Sequence, residues 1–265
     1  MFTPMEEHEM HAPKRYLHFV EDSRVRVFTC AGASSCPAAN WAVLKAGQEQ
    51  DTAAALAFAQ AQFAQAGALP LVVWAPDALP LSACEAVLSE SGYILRKVPV
   101  REFCTGAEES LELHANDCPI VLSASPMKGA QGQLLAESCE GFPGRAELLK
   151  RQLRAGARAF FACNRAEIPV SVCLGFGYAS TLRLFGLYTA KSQRGKGYGM
   201  AVLRAAVRWA QAPGQGYEPF ALAPQENGPA VRLLQRAGFL GRPQQRWYAV
   251  QGNDPVLRQI ETLWL

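Results

Sequence analysis

The chain has 265 residues, a net charge of +3 and 49% hydrophobic residues. A chain of this length and composition can bury a large core and predicts one or two domains. The small net charge, without a clustered basic stripe, argues against nucleic-acid binding. The polar, acidic N-terminus is not a secretory signal, and no apolar run approaches the about 18 residues of a membrane helix. We therefore expect a cytoplasmic protein without nucleic-acid or membrane partners.

The cysteines and histidines predict no metal site. Eight cysteines, at positions 30, 36, 84, 104, 118, 139, 163 and 173, include no C-x-x-C pair. Most lie among apolar residues, which predicts buried free thiols in a reducing compartment. His8, His11 and His18 stand near glutamates at the N-terminus, but their spacing matches no ligand pattern. We interpret these N-terminal residues as solvated and expect no metal.

In the first part of the chain, helices and strands alternate. Asp51–Ala66 predicts a helix with Asp51 or Thr52 as its cap and Gly67 as its stop. Further predicted elements are a buried strand over 71–76, a helix over 81–91 closed by Gly92-Tyr93, and an extended segment over 94–103. The polar, turn-rich stretch from Arg101 to Asp117 then predicts a domain boundary, which gives domains 1–115 and 116–265.

The second part of the chain predicts a mixed α/β domain. The predicted strands cover 118–123, 158–163, 170–179, 181–190, 219–223 and 246–250. A helical pattern over 131–155 is broken at 141–144, and further helices are predicted over 200–210 and 229–237. The predicted order is one strand, a helix–loop–helix, three strands, and then two helices that alternate with two strands.

A glycine-rich turn lies between the strand over 181–190 and the next helix, and its sequence from Arg194 is R-G-K-G-Y-G. The first N–H groups of a helix lack internal partners and attract anions, and glycines allow a phosphate to approach the main chain. This predicts a pyrophosphate-binding turn. The nucleotide-triphosphatase pattern is absent, and the dinucleotide pattern G-x-G-x-x-[GA] fails at Met200, so nucleotide or NAD binding is a weak alternative.

Arg194-x-x-Gly197-x-Gly199 resembles the [QR]-x-x-G-x-[GA] signature of the GNAT acyl-CoA-dependent N-acyltransferases. Downstream, N-x-x-A-x-x-L from Asn227, followed by Gly238-Phe239, is similar to the second half of the same family. Asn227 also stands where a helix N-cap is expected, so it is either a cap alone or a cap that contacts the cofactor. The resemblance covers about 118–250 and is tightest over 184–239.

The resemblance implies a mostly antiparallel central sheet flanked by helices, acetyl-CoA as co-substrate, and a primary amine of a small molecule or peptide as acceptor. It implies that the helix–loop–helix lines the acceptor pocket. It also implies that the main chain of a strand bulge holds the pantetheine and that the glycine turn holds the pyrophosphate. The corresponding cofactor-binding residues are Leu187, Tyr188, Thr189, Arg194, Gly195, Lys196, Gly197, Tyr198, Gly199 and Asn227.

An internal repeat is indicated by two matching pairs. Ala75-Pro76 recurs 148 residues later as Ala223-Pro224, and Gly92-Tyr93 recurs 146 residues later as Gly238-Phe239. The counterpart of the glycine turn is A-G-Q-E-Q-D over 46–51, whose acidic residues would repel a pyrophosphate. We therefore predict two tandem GNAT-like domains, the first without cofactor binding. A coincidental likeness of two α/β segments is the alternative.

The sequence departs from the family at two catalytic positions. Many relatives have a Glu on the central strand as base and a Tyr in the last helix as thiolate acid. Here Arg183 is the only charged residue over 182–190, and Leu234 takes the Tyr position. Tyr188, Tyr248 and Glu140 could substitute, although a structural or solvated role is the simpler interpretation of each, so no catalytic acid or base is assigned.

Two functions remain open. The first is an N-acyltransferase, and the second is a non-catalytic CoA-binding sensor or interaction module. The intact cofactor motifs fit both, whereas the two departures favour the second. The oligomeric state is also open, with a homodimer as one option.

Overall fold

The computed structural model describes residues 3–45, 49–68, 73–74, 85–105, 119–123 and 129–250. The strands are β1 His18–Glu21, β2 Val25–Thr29, β3 Trp41–Leu44, β4 Val73–Trp74, β5 Ile94–Thr105, β6 Ile120–Ser123, β7 Arg158–Cys163, β8 Pro169–Tyr178, β9 Thr181–Thr189, β10 Glu218–Pro224 and β11 Phe239–Val250. The α-helices are α1 Pro4–His11, α2 Glu49–Gln65, α3 Glu85–Glu90, α4 Gly129–Ser138, α5 Arg145–Arg154, α6 Tyr198–Gln211 and α7 Gly228–Arg236.

All of these strands form one sheet, in the order β1-β2-β3-β4-β11-β5-β10-β9-β8-β7-β6. The two parts of the chain exchange strands at its centre. β11, from the end of the described chain, lies between β4 and β5, whereas β5 lies between β11 and β10. β5 and β11 pair antiparallel along their whole length, from Phe239 opposite Thr105 to Val250 opposite Ile94. Neither part therefore completes its own sheet.

The strand order is the same on both sides of this central pair. β4 runs parallel to β3 and β10 runs parallel to β9, and the strands beyond them are antiparallel. α2 and α3 precede and follow β4 in the chain, as α6 and α7 precede and follow β10. The internal repeat predicted from the sequence is thus present in the topology. The division at residue 115 lies outside the described residues and stays a prediction.

Each sheet face has its own helices because the strands alternate their side chains. On one face, apolar residues of α2, α6 and α7 pack on the sheet, as Phe63 and Val207 do. On the other face, α4, α5 and the 30–39 segment cover residues such as Phe28 and Phe161. In the part of the chain that the structure describes, no helix is long and apolar enough to cross a membrane.

Local signals end or begin several elements as expected. Gly67 and Gly92 adopt positive φ angles of 60° and 77° after α2 and α3, a conformation that glycine adopts without a steric penalty. The Asn227 side chain caps α7 by accepting a hydrogen bond from the Ala230 N–H at 3.3 Å. Pro229 occupies the first turn of α7, where its missing N–H leaves no bond unmade.

Other predicted boundaries are wrong. α2 begins at Glu49, so Asp51 and Thr52 lie inside the helix rather than at its cap. α6 begins at Tyr198, two residues earlier than predicted, because Gly197 takes the cap position. β5 extends to Thr105, into the stretch predicted to be turn-rich, because it pairs with β10 and β11 there. The described residues do not include every position of the predicted elements: 71–72, 75–76, 81–84 and 118 lie outside them.

The strand exchange predicts that the two parts of the chain do not fold separately. Expressed alone, fragments 1–115 and 116–265 leave the edges of β5, β10 and β11 without partners, and we expect neither to unfold cooperatively. Co-expressed, they should copurify as one complex with a single thermal transition. A cooperative transition for the isolated 116–265 fragment in a calorimetric scan would contradict this topology.

Candidate functional site

The centre of the site is a bulge in β9. Leu174 pairs with Phe185 and Val172 pairs with Tyr188, so β9 has one residue more than β8 in between. Gly186 accommodates the bulge with a φ of +63°, and a Cβ at this position would lie 2.8 Å from the Leu174 Cδ1 atom. Only glycine fits without displacing that buried neighbour. The sequence signal for this bulge is an isolated glycine inside a strand.

Beyond this region the sheet opens. β9 and β10 pair in parallel only from Thr181 opposite Glu218 to Leu184 opposite Ala221, although both strands continue further. A cleft of about 560 Å³ lies where they separate, and we call it the β9–β10 cleft. Residues that line it include Glu137, Glu140, Phe142, Arg145, Leu187, Tyr188, Lys191, Arg194, Pro224, Glu226 and Asn227. Burial raises the pKa of Tyr188, as do nearby Glu137 and Glu140, which outweigh the opposing effect of Arg194.

The start of α6 follows the cleft-lining Arg194. Gly195 and Gly197 have φ angles of +78° and +87°, and no atom lies within 4 Å of a Cβ placed on Gly195. Gly197 is the N-cap of α6 and has no side chain to accept a hydrogen bond from the first N–H groups of the helix. Lys191, Arg194 and Lys196 are exposed beside it. The turn therefore combines helix-end N–H groups with cations, the chemistry of an anion-binding site.

Packing fixes the turn relative to β9. The Arg194 Nε atom donates to the Thr189 carbonyl oxygen at 3.1 Å, and the Thr189 hydroxyl lies 2.8 Å from the Ser171 hydroxyl. A Cβ at Gly199 would approach the Thr189 hydroxyl to 3.3 Å, so a small residue is needed where α6 crosses the strand end.

A second, smaller cavity of about 140 Å³ lies on the opposite side of the bulge, and we call it the inner pocket. Its floor is formed by β8, β9 and β11, and its cover by α1, α5 and the 37–41 segment. The lining residues are His8, Glu9, Pro13, Tyr16, Pro37, Ala38, Trp41, Arg145, Leu148, Leu149, Gln152, Phe176, Arg183, Phe185, Arg246 and Tyr248. Arg145 lines both cavities, so they adjoin there.

Charged groups line the inner pocket. The Glu9 carboxylate accepts a hydrogen bond from the Arg246 guanidinium, and both side chains are buried. The other Glu9 oxygen lies 3.7 Å from Nη1 of Arg183, whose side chain is 24% exposed. Burial raises the pKa of Glu102, which receives a hydrogen bond from Gln244 on the same strand as Arg246.

His8 and Glu9 correct the expectation that the N-terminal residues are solvated. His8 is 2% exposed and makes edge-to-face contacts with Phe176 and Phe220. The Thr181 hydroxyl donates to the Tyr178 carbonyl oxygen and therefore accepts from the His8 Nδ1–H at 2.8 Å, which leaves Nε2 as an acceptor. Burial, assisted by Arg183, lowers the pKa of His8 to about 3, so the ring is neutral at neutral pH.

The structure brings several of the predicted cofactor-binding residues together. Leu187, Tyr188, Arg194 and Asn227 line the β9–β10 cleft. Thr189 and the residues from Gly195 to Gly199 do not line it but form the strand end and the turn that adjoin Arg194. Of the three proposed catalytic substitutes, Tyr188 and Glu140 line the cleft, whereas Tyr248 is buried in the wall of the inner pocket.

Part of the chain matches a known protein family. Residues 134–239 match the model of the Acetyltransferase (GNAT) family. No curated protein matches the chain.

Solved structures share the fold at low sequence identity. A GCN5-related N-acetyltransferase from Kribbella flavida is 16% identical, with 94% of this chain and 95% of that chain covered and a TM-score of 0.70. A putative GNAT acetyltransferase from Novosphingobium aromaticivorans is 15% identical, with 93% and 95% covered and a TM-score of 0.57. A tandem GNAT protein of the clavulanic acid biosynthesis pathway is 11% identical, with 87% and 79% covered and a TM-score of 0.56.

The neutral, buried His8 predicts a specific pH dependence of stability. In the unfolded chain the ring binds a proton below about pH 6.5, whereas in the folded chain it does so only near pH 3. Stability is therefore fully present above the unfolded pKa and is lost as the pH falls towards 3, by up to about 1.4 kcal/mol per pH unit from this group. His8→Phe keeps the aromatic contacts and should remove this contribution.

Urea titrations at pH 6, 5 and 4 measure the effect, with the exposed His18→Phe as the control that retains the wild-type slope. An identical pH dependence of the unfolding free energy in wild type and His8→Phe would show that His8 is not held neutral.

Proposed function

We propose that this protein is an N-acetyltransferase, because residues 134–239 match the model of the GNAT acetyltransferase family. It would transfer the acetyl group of acetyl-CoA directly to a primary amine of a small molecule or peptide. The observation that carries the proposal is the pair of adjoining cavities at the β9 bulge. The larger cavity opens beside a basic, glycine-rich helix start, and the smaller one is lined by charged groups.

The residues present fit acetyl-CoA. Gly197 leaves the N-terminus of α6 without a side-chain cap, and Gly195 has open space around it. A pyrophosphate there would meet helix N–H groups and the exposed Lys191, Arg194 and Lys196. The pantetheine would follow the β9 main chain after the bulge. The proposed cofactor-binding residues are thus Leu187, Tyr188, Thr189, Arg194, Gly195, Lys196, Gly197, Tyr198, Gly199 and Asn227.

When bound, acetyl-CoA supplies an activated thioester carbonyl. The protein holds it and places the acceptor amine against it, and such positioning supplies much of the rate of a bimolecular reaction. The amine must be neutral to attack, so it must give up a proton. Glu9 and the Nε2 atom of neutral His8 are hydrogen-bond acceptors among the inner-pocket residues.

The alternative is a CoA-binding sensor or interaction module without catalysis. It is favoured by the absence of a carboxylate over 182–190, where many relatives have a Glu, and by Leu234, which takes the position of their Tyr. Leu234 is fully buried in the apolar core around α6 and α7. Thiol release from acetyl-CoA with an amine panel separates the two functions, because only an acetyltransferase releases CoA in proportion to the acceptor.

A cytoplasmic location and a homodimer are further parts of the proposal. None of the six cysteines that the structure describes takes part in a disulfide, which fits a reducing compartment. Sedimentation at several protein concentrations tests the dimer.

Cofactor binding is tested by calorimetric titration with acetyl-CoA, CoA and NAD. We expect acetyl-CoA and CoA to bind and NAD to be inert.

Gly197→Glu should weaken acetyl-CoA binding by at least about 100-fold, because it places a carboxylate against the pyrophosphate at a position with a φ of +87°. Gly214→Glu is the matched control: it makes the same change at a positive φ of 86°, in an exposed turn after the opposite end of α6.

An unchanged acetyl-CoA affinity in a folded Gly197→Glu protein would contradict the proposed cradle. Tighter binding of NAD than of acetyl-CoA would contradict the proposed co-substrate.

A further inference from the structure

The inner pocket has more positive than negative charge. Three arginines line it, at positions 145, 183 and 246, against the single carboxylate of Glu9. His8 adds no charge because its pKa is lowered to about 3 by burial and by Arg183. Glu9 is hydrogen-bonded to Arg246, and the buried Glu102 carboxyl also lies near Arg246. Glu9 therefore has one oxygen on Arg246 and the other 3.7 Å from Arg183, and this one carboxylate does not balance the three arginines.

The Arg183 guanidinium has N–H donors that form no hydrogen bond within the part of the chain that the structure describes. Its closest ion-pair distance, 3.7 Å to Glu9, is longer than a hydrogen bond. It lies on β9 three residues before Gly186, and its neighbour Phe185 lines the same pocket. A guanidinium whose N–H groups form no hydrogen bond with the residues that the structure describes can bind the planar carboxylate group.

Arg145 is a second arginine available to an anion in the inner pocket. It is the first residue of α5, and its guanidinium carbon lies 5.2 Å from the centre of the Phe142 ring. Among the residues that the structure describes, no carboxylate lies within 4 Å of this guanidinium. Burial lowers the pKa of Arg145, so the site favours an anion that would compensate for the lost hydration.

The volume of the inner pocket limits what can enter. A cavity of about 150 Å³ holds benzene, so 140 Å³ accommodates about six non-hydrogen atoms. An amino acid the size of alanine or β-alanine fits both the volume and the charge.

We infer that the acceptor is a small amine that also carries a carboxylate, and that the inner pocket holds this carboxylate through Arg183 and Arg145. This inference rests on the proposed acetyltransferase function and names the substrate class for it. The amine would then lie towards the bulge, where the inner pocket adjoins the β9–β10 cleft at Arg145. The experiments below distinguish this role of Arg145 from a contact with the phosphates of acetyl-CoA.

The first test measures carboxylate binding without acyl transfer. Thermal unfolding is followed with propanoate and with propanamide, which have the same number of non-hydrogen atoms and differ in charge. We expect propanoate to raise Tm and propanamide to have no effect. Arg183→Ala should abolish the propanoate shift, whereas Arg154→Gln, an exposed change at the end of α5, should keep it. Equal shifts by the two probes, or no shift by propanoate, would overturn the inference.

The second test measures turnover with acetyl-CoA. L-Alanine is compared with L-alaninamide, and β-alanine with its amide, by thiol release. We expect kcat/KM to be at least about 100-fold higher for the better of the two amino acids than for its amide, because the amide leaves the half-buried Arg183 and Arg145 without an anion. In Arg183→Ala and in Arg183→Lys the preference should fall by at least about 10-fold. Equal turnover of acid and amide would overturn the inference.

Acetyl-CoA affinity is measured by calorimetry in the same variants. This distinguishes a failure of the carboxylate pocket from a failure of the proposed acetyltransferase function. An unchanged affinity in Arg145→Ala with a lost carboxylate preference places Arg145 in the acceptor pocket, whereas a lost affinity with an intact preference assigns it to the cofactor. A propanoate shift in a protein that does not bind acetyl-CoA would support the carboxylate pocket and reject the acetyltransferase function.

Discussion

The pairing of β5 with β11 is the interaction on which the remaining architecture depends. It joins twelve residues of each strand, and it inserts each strand into the half of the sheet that the other part of the chain builds. β11 carries Arg246 and Tyr248 into the wall of the inner pocket, while the neighbouring β5 carries Glu102 close to Arg246. The first part of the chain is thus more than an appended domain, because it completes the sheet on which the site is built.

Two local features then divide the site into its two cavities. The parallel pairing of β9 with β10 ends at Leu184, which opens the cleft, and the Gly186 bulge shifts the register of β9 just beyond that point. On one side lies a basic, glycine-rich helix start, and on the other a pocket lined by three arginines. α1 and its buried His8 and Glu9 close this pocket from the N-terminal side. In the proposed function, the charge of this pocket selects the acceptor, and the first part of the chain contributes Glu9 and His8 to it.

Sequence patterns were sufficient where the determinants are local. The glycine turn, the Asn227 cap and the strand order of the second part of the chain depend on short-range signals, and the structure agrees with them. The predicted repeat also follows from local stop signals, because glycines end the equivalent helices in the two parts of the chain.

Long-range packing explains what the sequence did not reveal. His8 and Glu9 are polar and close to the N-terminus, so their pattern indicated solvent, yet Arg246 and Thr181 bind them from positions far along the chain. The exchange of β5 and β11 also depends on contacts between distant parts of the chain. Both strands have ordinary hydrophobic patterns, which do not indicate their pairing partners. Arg145 follows a loop glycine, and its position between two cavities depends on how α5 packs against β9. Gly186 alone left a local signal, a glycine inside a strand.

A crystal structure of the protein with acetyl-CoA tests the central claim most directly. Our account predicts electron density for the pyrophosphate at the amide groups of residues 195–199, and for the thioester at Leu187 beside the inner pocket. Density for the cofactor elsewhere on the sheet, or a pyrophosphate at the start of α2, would contradict it.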